Sequence, residues 1–260
     1  MIIGSHISLD NILEETKKVY QNGGTIIQLF INLNMIDEYK KLKDLLDKLN
    51  MKCVIHVSYS IVCTKKWNKY SWWIRQLIAE IEIASSILNA FAVVIHIGSN
   101  KKENDETSLN YLYTSLLYVA KQTNKNIKIL LETPSGQDGK LCLTYICMCS
   151  ILTKFKHNRF GLCIDTCHIY VSGYNVKNNP LEYFNEIIKL IGIDYINLVH
   201  LNDSAKELGS YNDKHANIGE GFIGLHPLIK IVKLCDKNNI PMIIETRNRY
   251  NDIKVITNNI

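Results

Sequence analysis

Eight short apolar runs, rich in β-branched residues, recur along the chain: Ile2 to His6, Thr25 to Phe30, Lys52 to His56, Phe91 to His96, Ile127 to Glu132, Phe160 to Asp165, Tyr195 to His200 and Pro241 to Glu245. Near-continuous apolar runs of this length read as strands covered on both faces, the condition of a parallel sheet. Between them lie helical patterns, "NILEETKKVYQN", "MIDEYKKLKDLLDKLN", "WWIRQLIAEIEIASSILNA", "TSLNYLYTSLLYVAKQ", "LTYICMCSILTKF", "PLEYFNEIIKLI" and "LHPLIKIVKLCDKNN". The second and third alternate apolar and charged residues at helical spacing, as helices lying on a sheet do. Strand then helix, carried to eight strands, predicts an α/β fold, a (β/α)8 TIM barrel, with a doubly wound open sheet as the alternative. The 260 residues suit one such barrel, and no low-complexity linker or charge block divides them, so a single domain over 1–260 is expected.

Seven of the eight runs finish on a His, Asp or Glu: His6, His56, His96, Glu132, Asp165, His200 and Glu245. In a barrel the carboxyl ends of the strands converge on one face, where enzymes of this fold place their sites. Taken singly, each residue has an ordinary structural explanation, a hydrogen-bonded core histidine or a carboxylate capping the next helix. Taken together they do not, because several carboxylates and imidazoles brought within a few ångströms would repel or titrate unless cations held them.

Imidazole and carboxylate donors suit zinc, with manganese or iron as alternatives. Loop residues extend the set: His168 in "DTCH", and Asp213 with His215 in "NDKHANIGEG", where alternate side chains of an extended segment share a side. Donors suffice for three ions. Clustered divalent ions suit phosphodiester cleavage, although sugar isomerases also pair metals on this fold; residue chemistry alone leaves both readings open.

Composition excludes little but agrees: 47% hydrophobic and 21% charged residues mark a folded chain, and a net charge of +5 favours approach to a polyanion. Eight cysteines sit mostly in apolar runs with no disulfide-framework spacing, and are read as reduced thiols; packing explains Cys147, Cys149, Cys163 and Cys167 better than metal ligation. No signal peptide and no apolar run long enough to cross a bilayer is found, so no membrane association and a cytosolic or nuclear location are expected.

The segments "LCIDTCH", "HLNDSAKELGSYNDKHANIGEG" and "IIETR" closely resemble signature segments of the endonuclease IV family of apurinic/apyrimidinic (AP) endonucleases, and the similarity runs from "IGSHIS" to Glu245. The chain's shortness and "LETPSGQ" look more like the compact members found in large DNA viruses, which would place it in the host-cell cytoplasm or the virion. The resemblance implies three zinc ions: His56, His96 and Glu132 on the first, Glu132, Asp165, His200 and Glu245 on the second, and His168, Asp213 and His215 on the third. His6 matches a histidine near the site that is not a ligand.

By the same resemblance the protein would act as a monomer on double-stranded DNA, incising 5′ to an abasic site to leave a 3′-hydroxyl, and would trim blocked 3′ ends. Glu132 would be the catalytic carboxylate, orienting the attacking oxygen. Tyr59 matches a tyrosine that enters the DNA, and Met35 stands where the family often has an arginine wedge. Lys65, Lys66 and Lys69, Lys101 with Lys102, and Arg247 with Arg249 follow strands on the active face and are candidates for phosphate contacts. Trp72 and Trp73 are expected to pack helix on barrel, and Gly219 and Gly221 to serve as turn residues. A sugar isomerase or epimerase, or a DNA-lesion binding protein without catalysis, are the competing functions; the third ligand group argues against the former and the full ligand set against the latter.

Overall fold

The computed structural model describes residues 1–100, 103–156 and 159–260. Its strands are β1 (Ile3–His6), β2 (Ile26–Phe30), β3 (Lys52–His56), β4 (Ala92–His96), β5 (Lys128–Glu132), β6 (Phe160–Asp165), β7 (Ile196–His200), the two-residue β8 (Asp203–Ser204) and β9 (His215–Ala216), and β10 (Met242–Ile244). Eight of them close a parallel barrel in the order β1-β10-β7-β6-β5-β4-β3-β2, while β8 and β9 pair antiparallel as a separate ribbon. The predicted (β/α)8 barrel is therefore found, and the open sheet is excluded by the β1–β10 pairing, Ile3 opposite Met242.

The helices are α1 (Ile12–Gln21), α2 (Ile36–Leu49), α3 (Trp72–Ser86), α4 (Asp105–Gln122), α5 (Tyr145–Lys154), α6 (Thr166–Val171), α7 (Glu182–Ile191), α8 (Leu225–Lys237) and α9 (Arg249–Thr257). All seven expected helical segments form; α6 and α9 are additional. Local chemistry sets several starts: Asn104 accepts the Thr107 N–H ahead of α4, Thr144 that of Cys147 ahead of α5, and Asp165 that of His168 ahead of α6.

The strands bury both faces, and the two-residue period of a strand sorts their side chains. Ile26, Val54, Ala92, Val94, Leu130, Cys163, Leu198 and Ile243 form a cluster of their own that fills the barrel. The alternate residues, among them Ile27, Ile55, Val93, Ile129, Ile164 and Ile244, join the larger core beneath the helices with Leu42, Ile74, Leu77 and Leu116. Each such aliphatic side chain contributes about 1.5–3 kcal/mol by leaving water. At Gly4 an added Cβ would lie 1.6 Å from the Ile26 carbonyl oxygen, so only glycine permits this approach of β1 to β2.

The cysteines correct one expectation. Cys142 and Cys147 form a disulfide, their Cα atoms 5.2 Å apart across the turn that enters α5, so they are not free thiols. Cys53, Cys63, Cys149, Cys163, Cys167 and Cys235 are free and buried, as expected. Of the adjacent Trp72 and Trp73, Trp73 packs into the core whereas Trp72 is exposed. Among the described residues, no helix is long and apolar enough to cross a membrane.

Candidate metal centre

The sorting that fills the barrel also builds the site. Two residues beyond Val54, Val94, Leu130, Cys163, Leu198 and Ile243, and therefore on the same inward side, come His56, His96, Glu132, Asp165, His200 and Glu245. His6 stands likewise two beyond Gly4. The strand ends thus form a polar layer capping the apolar filling at the C-terminal rim.

Within that layer His56, His96 and Glu132 bring ligand atoms within 4.8 Å of one another, and so do Glu132, Asp165, His200 and Glu245. Glu132 belongs to both groups. Its Oε2 lies 3.4 Å from His56 Nε2 and 3.2 Å from His96 Nε2, while Oε1 receives His200 Nδ1 at 2.8 Å. A third group joins Asp165, His168 and His215, with Asp213 Oδ2 2.9 Å from His168 Nε2 and Asp213 Oδ1 3.3 Å from His215 Nε2. His6 stands beside the second group, its Nδ1 3.7 Å from Glu245 Oε1, and joins none of the groups.

Second contacts set which imidazole nitrogen is offered. His56 Nδ1 donates to the Val57 carbonyl at 2.8 Å and His168 Nδ1 to the Thr133 carbonyl at 2.7 Å, leaving Nε2 of each to face the cluster. Four atoms here are buried without a hydrogen-bond partner: His96 Nε2, Glu132 Oε2, Asp213 Oδ1 and His215 Nε2. Buried polar atoms are normally satisfied. Unpaired donors and acceptors concentrated at converging ligand positions are what a set of cation sites leaves when only protein atoms are counted, so these residues fit divalent metal.

The electrostatics agree. Burial would push the Glu132 carboxyl up, but the imidazoles of His96 and His200 outweigh it and hold it well below the usual range. Glu245 is lowered in the same way by His200 and His6. Burial instead wins at Asp165, whose carboxyl is raised, and at His96, pulled down to about 4 and so kept neutral as a ligand must be. His168 and His200 resist burial because acidic neighbours, Asp165 and Asp213 for the one and Cys163, Glu245 and Glu132 for the other, favour their charged forms.

The third group draws on three elements: Asp165 ends β6, His168 lies in α6 and His215 opens β9. The ribbon of β8 and β9 sets His215 opposite Ser204, and the Asp213 N–H donates to Gln137 Oε1 at 2.7 Å. Asp203, fully buried, accepts the backbone N–H groups of Gly219, Gly221, Ile223 and Gly224 at 2.9–3.1 Å and so folds the "GEGFIG" turn around its carboxylate. An added Cβ at Gly221 would lie 2.4 Å from the Ser204 carbonyl oxygen. The two glycines are turn residues, as expected.

A cleft of about 880 Å³ opens beside the clusters, walled by Tyr59, Lys65, Lys66, His96, Gln137 and Asp213 among others. Tyr59 is 66% exposed at its lip, with its ring 5.2 Å from that of His56 and 5.0 Å from that of His96. Lys65, Lys66 and Lys69 are exposed. Lys101 and Lys102 lie outside the described residues. Met35 precedes α2 and packs partly buried against the core, so the exposed apolar side chain of that loop is Leu33 rather than Met35. Arg249 is bound to Glu15, tying α9 to α1, and its guanidinium is committed there.

Two residues of the site escape the strand-end pattern. Asn202 donates its amide to Asp165 Oδ2 at 2.8 Å and Glu245 Oε2 at 3.1 Å, and accepts the Glu245 N–H at 2.9 Å. Gln28, also fully buried, touches His6, His200 and Glu245. It is the lone polar residue of "IIQLF", the one signal by which it could have been found.

A parallel barrel whose C-terminal rim gathers shared carboxylates and imidazoles is an α/β barrel with residues able to hold metal ions. Residues 17–259 match the family described as xylose isomerase-like TIM barrels. "Probable endonuclease 4" of Mycoplasmopsis pulmonis is 33% identical over 258 residues, covering 94% of this chain and 92% of that protein. The endonuclease IV structure from Thermus thermophilus superposes with a TM-score of 0.80 at 22% identity over 99% of this chain and 98% of that one. A D-tagatose 3-epimerase-like protein shares the fold at a TM-score of 0.75 and 21% identity, covering 98% and 94%. The chain belongs to the endonuclease IV family, and with it to the metal-dependent nucleases.

Proposed function

We propose that this protein is a zinc-dependent AP endonuclease of DNA base excision repair, a single catalytic domain that acts as a monomer on double-stranded DNA in the cytoplasm or nucleus. It cleaves the phosphodiester 5′ to an abasic site, leaving a 3′-hydroxyl, and trims blocked 3′ ends. The observation that carries this reading is the sharing of Glu132 between two ligand groups, with a third group of Asp165, His168 and His215 alongside and Asp213 2.9 Å from His168.

His56, His96 and Glu132 would hold the first ion, Glu132, Asp165, His200 and Glu245 the second, and His168, Asp213 and His215 the third. Divalent ions held there supply Lewis acidity toward the phosphodiester and its attacking water. Everything else falls to the chain. Glu132, kept ionised by its imidazole neighbours, would orient the nucleophile. Lys65 and Lys66 on the cleft wall would meet backbone phosphates, and the exposed Tyr59 would occupy the gap left in the stack. An abasic nucleotide leaves the helix cheaply, having lost its stacking.

The test is a nicking assay on a duplex bearing one synthetic abasic site, with product ends identified and metal content measured on the same sample. We expect close to three divalent ions per chain, loss of cutting on strong chelation, and cutting abolished in Glu132→Gln with abasic-DNA binding largely kept. Interconversion of ketoses with no nicking would favour the sugar epimerase reading instead, and binding without any chemistry the lesion-binding one.

A further inference from the structure

The polar layer at the barrel rim has one member that is neither acid nor imidazole. Gln28 lies two residues beyond Ile26, which fills the barrel, so β2 contributes to this layer as the other strands do. In the sheet register it pairs with His6. Its side chain is fully buried and its three hydrogen bonds all go to site residues. Nε2 lies 2.7 Å from Glu245 Oε1 and 3.0 Å from His6 Nδ1, and Oε1 lies 2.9 Å from His200 Nε2.

These contacts allow only one orientation of the amide. An ionised carboxylate accepts hydrogen bonds and cannot donate them, so the NH2 group must face Glu245 and the carbonyl must face His200. The carbonyl can only accept, so His200 carries its hydrogen on Nε2. Glu132 Oε1, which can only accept, lies 2.8 Å from Nδ1, so the metal-free ring carries a hydrogen there as well; with Nε2 held by Gln28, Nδ1, also 3.4 Å from Glu245 Oε2, is the nitrogen that would give up its proton to coordinate. His56 and His168 reach the opposite outcome through backbone carbonyls on Nδ1. His200, fully buried at the end of β7, takes its Nε2 contact from a side chain instead.

We infer that Gln28 is the positioning residue of the second ligand group: through one amide it fixes the His200 tautomer that presents Nδ1 and holds the Glu245 carboxylate beside it. The inference rests on the metal reading above, and it does not depend on which phosphodiester is cut. Outer contacts of this kind change metal affinity about 10–100-fold when removed.

The test uses zinc alone as the probe. Gln28→Met keeps volume and removes both hydrogen bonds. Chelator competition should show one zinc per chain weakened at least tenfold in the variant, with the remaining sites within about threefold of wild type. Equal affinity at every site would overturn the inference. Nitrogen-15 correlation spectra of the histidine rings in zinc-loaded wild type provide a measurement free of any folding defect: His200 should show a protonated Nε2 and a zinc-shifted Nδ1, and the reverse assignment would overturn it equally. A wild-type protein that takes up no zinc would remove this inference together with the metal reading. Uptake with the expected spectrum but no incision would support the role of Gln28 and remove only the nuclease reading.

Discussion

Asp165 addresses His168 with both carboxylate oxygens: Oδ1 accepts the His168 backbone N–H at 2.8 Å and caps α6, while Oδ2 lies 3.9 Å from the His168 ring Nε2. The ordinary capping role of an acid after a strand and the proposed ligand role would here fall to the same side chain. Oδ2 also accepts the Asn202 amide at 2.8 Å. In Asp165→Asn the single amide oxygen can serve His168 or Asn202 but not both, which leaves a buried donor unpaired. We expect the metal-free variant to lose about 1–3 kcal/mol of stability in urea denaturation and the loaded variant to lose bound zinc. Wild-type stability with full zinc content would contradict both roles.

The metal-free protein should weaken as pH rises. Burial pulls His215 down, but the Asp213 hydrogen bond and the Asp165 charge lift its pKa to about 9. A histidine raised above its unfolded value of about 6.5 contributes stability that is fully present below that value and is lost as pH climbs through about 9. Zinc competes with a proton for the same nitrogen, so the stabilisation by zinc should grow over the same interval. Scanning calorimetry at several pH values between about 6.5 and 9.5, with and without chelator, should show the two Tm curves diverging; parallel curves would rule this out.

Lys65 and Lys66 are exposed on the cleft wall. If each neutralises one phosphate, the double alanine variant should lower the slope of log affinity against log salt by about 1.8, with the larger loss of binding at low salt. Fluorescence anisotropy on an abasic duplex measures this directly, and an unchanged slope would assign both lysines to solvent.

Cys142 and Cys147 stand five residues apart and close a short loop at the start of α5. Closing a loop of that size removes about 2 kcal/mol of chain entropy from the unfolded state. Cys142→Ser should therefore lose about that much stability relative to oxidised wild type and nothing relative to reduced wild type. Denaturation with and without a thiol reductant separates the two cases.

The strands, the barrel and the gathering of the strand-end residues were legible because one physical rule governs them all: a run buried on both faces is apolar, and the first polar residue at its carboxyl end marks the rim. Gln28 broke that rule by sitting one turn of the pleat before the end of β2, with Leu29 and Phe30 after it, so it resembled an interruption of an apolar run rather than its terminus. Asn202 and Asp203 lie beyond a strand end already assigned to His200, and their roles depend on partners far away in the chain, Glu245 at one and Gly224 at the other. The helix α9 escaped notice because its polar and apolar residues do not separate cleanly by face, and α6 because six residues offer too few turns for a period to show. The disulfide was hidden for a different reason: its spacing matches no framework, and only the turn before α5 brings the two sulfurs together.

Because every rim ligand is an even number of residues from a side chain that fills the barrel, the chemistry is a matter of phase. Deleting one residue between Leu130 and Glu132, or between Leu198 and His200, would rotate the ligand from the interior toward the helices without altering composition or hydropathy in any large way. The same deletion in an outer loop or a helix end leaves that phase untouched. Length variation in such a chain should therefore be tolerated wherever it adds or removes chain outside the strands, and lethal to activity wherever it turns an even count into an odd one within them.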